Sequence, residues 1–291
     1  MLICQLATSW SGSVIAAGEF ERTVHIWDVA ADRRLATFPT VLDFGGRRLA
    51  ITQDGRNCIA AAYHVEGIAA YATADGTEVW RRKDLKKAQT VRISLDDRRA
   101  YVCFDNRSCQ VLNRETGKTI KTWTGVREVW ESPYRPAILL EKRVLALQSP
   151  EGQTITSFAR ETFAVLCVAF SPGLVCVSES TGPLRCFDTQ TGEQRWRFHE
   201  KGQHFLALAF DEQAQAFVGV CWPYERVGSF RLLRFESESG EATTVTDLGN
   251  AGEFKFCLRG TRLLSSDGSV MDSATGRREG MLAYPVSANG S

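Results

Sequence analysis

A polar turn, usually carrying glycine, recurs along this chain between two short strand-like runs, and that recurrence limits the possible folds more than any other feature of the sequence. In chain order the turns are Ala31-Asp32, Asp75-Gly76, Thr116-Gly117, Glu151-Gly152, Thr191-Gly192, Ser239-Gly240 and Thr275-Gly276. Successive steps are 44, 41, 35, 40, 48 and 36 residues, so seven units fit into the chain. Most turns are followed at a similar offset by a large apolar residue: Phe38, Trp80, Trp123, Phe158, Trp196 and Met281. Most are preceded by a short apolar segment such as Val24-His25-Ile26-Trp27-Asp28-Val29.

The clearest units divide into four runs of strand length. In the fifth these are Val165 to Phe170, Leu174 to Val177, Pro183 to Asp188 and Glu193 to Phe198, separated by Ser171-Pro172-Gly173, Ser180-Thr181-Gly182 and Thr191-Gly192. In the third they are Val91 to Ser94, Ala100 to Phe104, Cys109 to Leu112 and Lys118 to Trp123. Such breakers favour hairpins, and no window of a dozen residues keeps a helical period, so the chain is expected to be all-β. A four-stranded antiparallel unit of about 40 residues, repeated seven times, predicts a seven-bladed β-propeller, in which radial repetition protects the sheet edges. A β-sandwich would not produce so regular a period. Residues 1–285 are then one propeller domain, with Val286 to Ser291 as a disordered tail.

The first unit, Ile3 to Phe38, resembles a WD repeat, including its Trp27-Asp28 pair. Other units, above all Asp188-Thr189-Gln190-Thr191-Gly192-Glu193-Gln194-Arg195-Trp196, are similar to the Asp-x-x-Thr-Gly-x-x-x-Trp motif of quinoprotein-like propellers, and Val111 to Trp123 repeats it loosely. The resemblance covers the chain to about Pro285 and speaks to architecture, because propellers host enzymes, sensors and scaffolds alike. The Gly-His dipeptides and the His/Ser/Asp/Trp network of WD repeats are missing, which implies blades held mainly by apolar packing. Leu2 to Ala7 reads as the innermost strand of the first blade, and the last unit, Glu253 to Tyr284, supplies its own strands. Ring closure is therefore expected from side-chain packing.

Composition narrows the function. With 35 Lys+Arg against 34 Asp+Glu, the net charge of +1 leaves no global footprint for nucleic acid or an anionic membrane, and neither is expected as a partner. The cysteines Cys58, Cys103, Cys167, Cys176, Cys186, Cys221 and Cys257 sit in or beside apolar runs and read as small buried hydrophobes. No Cys-x-x-Cys pair exists, the N-terminus lacks a signal-peptide pattern, and no run approaches the ~18 apolar residues of a membrane span. A cytoplasmic location is the expectation.

The chemical motifs dissolve on inspection. His199-Glu200-Lys201-Gly202-Gln203-His204 is one residue too long for the His-Glu-x-x-His zinc motif and reads as a solvated loop. Thr116-Gly117-Lys118-Thr119 lacks the earlier glycine of a phosphate-binding loop. Asp96, Asp97, Glu236 and Glu238 fall in or beside expected turns as solvated charge, and His25 reads as strand filler. No catalytic residue, metal site or cofactor is expected.

Function then falls to the irregular segments. The longest step leads to Cys221-Trp222-Pro223-Tyr224-Glu225-Arg226-Val227-Gly228, read as an extended connection between the second and third strands of the sixth unit. A second segment, Arg127 to Pro136, opens the fourth unit and holds Trp130 and Tyr134. Trp, Tyr and Arg are the residue types enriched at binding hot spots. Both segments are expected on one face of the ring, where Trp222, Tyr224, Arg226, Trp130 and Tyr134 would dock another protein. An inhibitor or immunity-type protein is one form this could take. The basic run Arg81, Arg82, Lys83, Lys86 and Lys87 reads as a solvated outer strand. The alternative is a small-ligand or cofactor-binding propeller of the quinoprotein-like kind.

Overall fold

The computed structural model describes residues 3–9, 12–19, 22–29, 31, 33–43, 47–64, 66–159, 164–180, 183–200, 203–223, 229–249, 254–257 and 260–281. The expected C-terminal tail lies outside them. The chain is all-β: seven four-stranded antiparallel blades form a β-propeller, and in each the strands follow one another in chain order. Among the described residues no helix is long and apolar enough to cross a membrane.

The chain divides into two compact units. The first comprises Met1–Glu128, Ser265–Ser269 and Gly280–Ser291, the second Val129–Leu264 and Val270–Glu279. Within the first lie blade 1, with β1 (Ile3–Thr8), β2 (Val14–Glu19), β3 (Thr23–Asp28) and β4 (Arg33–Pro39), and blade 2, with β5 (Leu49–Ile51), β6 (Asn57–Ala61), β7 (Ile68–Ala72) and β8 (Glu78–Arg82). Blade 3 follows, with β9 (Ala88–Ile93), β10 (Arg99–Phe104), β11 (Ser108–Asn113) and β12 (Thr119–Thr124). Blade 4 consists of β13 (Glu128–Glu131), β14 (Ile138–Glu141), β15 (Leu145–Gln148) and β16 (Thr154–Phe158); blade 5 of β17 (Val165–Phe170), β18 (Leu174–Glu179), β19 (Leu184–Asp188) and β20 (Gln194–Phe198). Blade 6 has β21 (Gln203–Asp211), β22 (Ala216–Pro223), β23 (Phe230–Glu236) and β24 (Ala242–Gly249); blade 7 has β25 (Phe254–Cys257), β26 (Arg262–Ser265), β27 (Ser269–Asp272) and β28 (Arg278–Met281).

All seven recurrent turns fall between the third and fourth strands of a blade. The first strand belongs to blade 1, where β1 pairs with β2, and the last sheet is built from β25 to β28. Middle strands such as β2 and β3 are buried through their central four residues, because both sheet faces are covered; outer strands such as β4 are exposed at most positions. That is why the middle strands read as continuous apolar runs.

The motif turns also explain how blades meet. In blade 5, Asp188 Oδ1 accepts the backbone N–H groups of Gln190 and Thr191 at 2.8 and 3.0 Å, and Gly192 N–H reaches Asp188 O at 3.0 Å. Asn113 and Asp272 play the same part in blades 3 and 7. The glycine of such a turn lies on the aromatic residue of the preceding blade. Gly117 has φ +66°, and a Cβ there would sit 2.8 Å from the Trp80 ring; Gly240, at φ +71°, would meet Trp196 at 2.5 Å. Only glycine fits both the backbone and the gap. The indole N–H of Trp80 donates to Arg114 O at 2.7 Å, and that of Trp196 to Ser237 O at 2.8 Å, so each Trp is fixed by its polar edge as well as its face.

Apolar packing is not the only glue. In blade 1, His25 Nδ1 lies 2.9 Å from Thr37 Oγ1 and Nε2 lies 3.1 Å from Glu19 Oε1, tying β2, β3 and β4 together. In blade 5 the buried Arg185 guanidinium pairs with Glu179 and donates to Ala159 O at 2.9 Å. Asp97 accepts the N–H groups of Gln53 and Asp54, clipping blade 3 to blade 2. Burial holds the Asp97 carboxyl above its usual range, opposed by the hydrogen bonds from Gln53 and Asp54. The expected filler histidine and solvated aspartate are thus structural ties, made through contacts that no local pattern announces.

Candidate functional site

The sixth blade carries the longest inner pair of strands, β21 and β22. Their register sets His204 opposite Trp222 and Phe205 opposite Cys221. Trp222 therefore stands on the last turn-proximal part of a strand, not in the connection where the sequence places it. Its neighbour Phe230 opens β23, and the two rings stack at 5.9 Å with an interplanar angle of 13°. His204 meets the indole edge-on at 5.4 Å, and Phe230 packs on Phe254 at 5.1 Å. The indole is half-buried against the cluster of Ala207, Val220, Leu232, Phe254 and Leu263. A large ring is thus held rigid with part of its surface open to solvent.

Polar pairs occupy the other face of these strands, where Arg231 stands opposite Cys221 and Asp247 while Trp222 stands opposite His204. Arg231 donates to both Glu200 carboxylate oxygens at 2.8 Å, and the Gln203 side-chain amide donates to the same carboxylate at 2.8 Å. Ser229 donates to Asp247, which stands opposite Arg231 and also accepts Gly249 N–H at 2.8 Å. The Ser229 hydroxyl and the Gly249 N–H hold the Asp247 carboxyl below its usual range. Burial lowers the His204 imidazole, favouring its neutral form against the indole. His204 lies in β21, so the expected solvated loop ends before it.

Tyr224 and Arg226, expected beside Trp222, lie outside the described residues. Trp130 is in β13 with 6% of its surface exposed, packed with Ala137, Leu139, Phe158 and Val177. Tyr134 lies in the connection between β13 and β14; its hydroxyl is 3.0 Å from Glu212 Oε1 and its ring meets Phe210 edge-on. Glu212 is in the connection from β21 to β22, whereas Trp222 is six residues beyond Ala216, the first residue of β22. At ~3.3 Å per strand residue, Tyr134 and Trp222 are roughly 20 Å apart along the blade, at its opposite ends. The expectation of one shared face fails here, because Tyr134 lies in a connection within its blade and not in one between blades.

The basic run is not a bare cationic patch. Arg81 pairs with Glu66 at 2.9 Å and Glu78 at 2.5 Å, Arg82 with Asp84 at 2.6 Å, and Lys87 approaches Asp105 at 3.9 Å. Sequence reasoning missed a polar network in the first unit. Arg48 pairs with Asp43 at 2.5 Å, donates to Ala88 O, and lies 5.0 Å over the Tyr63 ring, while Tyr63 donates to Asp105 at 3.0 Å. Glu128 meets Arg92 at 2.7 Å and Arg47 at 3.5 Å. The partners are mostly separated by a blade's length of chain, so no local motif marks them. Among the described residues no group of three His, Cys, Asp or Glu side chains is placed to hold a metal ion.

These sheets define a β-propeller with an aromatic patch at one end of its sixth blade. No protein-family model matches the sequence, nor does the sequence of any curated protein. Solved structures do match in fold. The β-propeller domain of Cps50 (Swd1) from Myceliophteria thermophila is similar with a TM-score of 0.72, 11% identity and 95% of each chain covered. U3-55K is similar with a TM-score of 0.67 and 14% identity, over 91% of this chain and 88% of its own. BamB from Moraxella catarrhalis is similar with a TM-score of 0.60 and 13% identity, over 94% and 83%. The likeness spans both the WD-type and the quinoprotein-like propellers that the sequence resembles.

Proposed function

We propose that the protein is a non-enzymatic platform that binds another protein through the end of blade 6 where Trp222 stands. The observation that carries this reading is the Trp222 ring, stacked on Phe230, touched edge-on by His204 and only partly buried. A rigid aromatic ring offers contact area at little entropic cost, and Trp is among the residue types enriched at binding hot spots. Tyr224 and Arg226 follow Trp222 in the chain and are assigned to the same site by sequence alone. Trp130, enclosed in apolar packing, and Tyr134, engaged by Glu212 at the far end, are not part of it. The likeness to WD-type propellers supports a scaffold role at the level of fold.

Affinity capture from native lysate with the wild-type chain and with a Trp222→Ala, Tyr224→Ala double variant tests the proposal. A specific protein recovered by the wild type and lost by at least tenfold with the variant, at unchanged thermal stability, is the expected result. Equal recovery by both chains removes the site.

A further inference from the structure

Cysteine placement in the blades carries a second, independent inference. In blade 3 the antiparallel pairing of β10 and β11 sets Cys103 directly opposite Cys109; in blade 5 the pairing of β18 and β19 sets Cys176 directly opposite Cys186. Directly opposite residues project to the same sheet face. The hydrogen-bond phase shows which kind of opposite pair each is. Arg114 N–H donates to Arg98 O at 3.0 Å, outside the Arg99–Asn113 pair, which makes that pair non-hydrogen-bonded. Two alternations along an unbroken register bring the same character to Cys103–Cys109. Likewise Thr189 N–H donates to Gly173 O at 2.9 Å outside Leu174–Asp188, and one alternation leads to Cys176–Cys186. Non-hydrogen-bonded pairs have Cα atoms about 4.5 Å apart, the closer of the two spacings and within the range a disulfide spans. Cys109 lies close enough to Cys103, and Cys186 to Cys176, to raise the facing thiol above its ordinary value.

We propose that Cys103–Cys109 and Cys176–Cys186 are two cross-strand disulfide sites, closed by exchange with a small disulfide of the glutathione class while the blade hairpins are still open. In each, one thiolate attacks the glutathione disulfide and expels a glutathione thiolate. The facing thiolate then attacks the protein sulfur of that mixed disulfide and expels the second. One disulfide forms and one is broken; the two electrons lost by the cysteine pair reduce the oxidant to two thiols. The four side chains are almost fully buried in the folded blades. The facing thiol and then burial push Cys103 above the ordinary thiol value, and burial and then the facing thiol push Cys176, so the thiolate is scarce once the sheet has closed. The covalent state is thus set at folding and kept afterwards, recording the redox condition in which the chain folded.

Register also predicts which cysteines stay out. Cys58 faces Tyr71, Cys167 faces Ser178, and Cys221 faces Phe205 and Arg231. Cell-free synthesis of the full chain in an oxidised glutathione buffer and in dithiothreitol, followed by acid alkylation, digestion and mass spectrometry, tests the assignment. Expected are an intact mass before alkylation lower by four hydrogen atoms in the oxidised arm, peptides linking Cys103 to Cys109 and Cys176 to Cys186, and loss of the second link in Cys186→Ser but not in Cys167→Ser. Chain folded in dithiothreitol and then moved to the same oxidised buffer stays reduced over the same period. Folded, monodisperse protein with no disulfide in the oxidised arm overturns the proposal, as do links through Cys58, Cys167 or Cys221. Equally fast closure in the already folded chain overturns its folding-stage step.

Discussion

The two compact units join their blades with different chemistry. In the first, charged and polar side chains reach from one blade to the next: Asp97 to the Gln53 and Asp54 amides, Arg48 to Asp43 and Ala88 O, and Glu128 to Arg92 and Arg47. In the second, rings dominate. Trp196 stacks on Phe235 at 5.9 Å and meets Phe217, while Phe235 also touches Phe198 and Phe205, so blades 5 and 6 share one aromatic core. The fold needs covered sheet faces and short radial joints, and either chemistry supplies them. In a separate cluster of blade 6, Phe254, Phe230 and Trp222 follow one another and end in a partly buried indole, as Trp80 and Trp123 are partly buried in the first unit.

This contrast is broken most severely in the aromatic half. Phe235→Ala removes a fully buried ring with three aromatic neighbours and is expected to cost about 3–5 kcal/mol, read as a lower denaturant midpoint that hardly changes with salt. A loss below ~1 kcal/mol contradicts the shared core. In the polar half, Glu128→Ala removes the buried carboxylate that Arg92 and Arg47 share and is expected to cost about 1–2 kcal/mol. Screening should shrink that cost markedly in 1 M salt, and a salt-independent loss would place its origin in packing.

The smallest effect belongs to the motif turn. The Thr191 N–H, Arg195 and the Gln190 N–H hold the Asp188 carboxyl down to about 2 from 3.8. A depressed folded value means that the stabilisation is complete above the ordinary aspartate value and is lost as pH falls through it toward 2. Asp188→Asn should therefore flatten the stability profile in that acidic window while leaving the profile near neutrality parallel to that of the wild type. An unchanged acid limb would show that the turn does not depend on the carboxylate.

The blade count and the turn positions were legible because they rest on local chemistry. An Asx turn closed by a left-handed glycine is written in five consecutive residues, and the aromatic that covers the next turn sits at a fixed offset. The site was legible only in part. Trp222 stood out by residue type, but its place on β22 followed from a strand that runs longer than those of other blades, through Cys221-Trp222-Pro223. Tyr134 was assigned to the wrong end because Glu128 to Glu131, four residues of mixed polarity, hides the innermost strand of blade 4. His25, Asp97 and Arg185 looked unremarkable in sequence because their partners come from other strands or turns.

The claim that recognition is confined to the Trp222 end of blade 6 is tested most directly by site-specific photocrosslinking. A photoreactive amino acid is placed at Tyr224 in one variant and at Tyr134 in another, and both are irradiated with the captured partner. The account predicts a covalent adduct from position 224 and none from position 134. An adduct from position 134 without one from position 224 would contradict it.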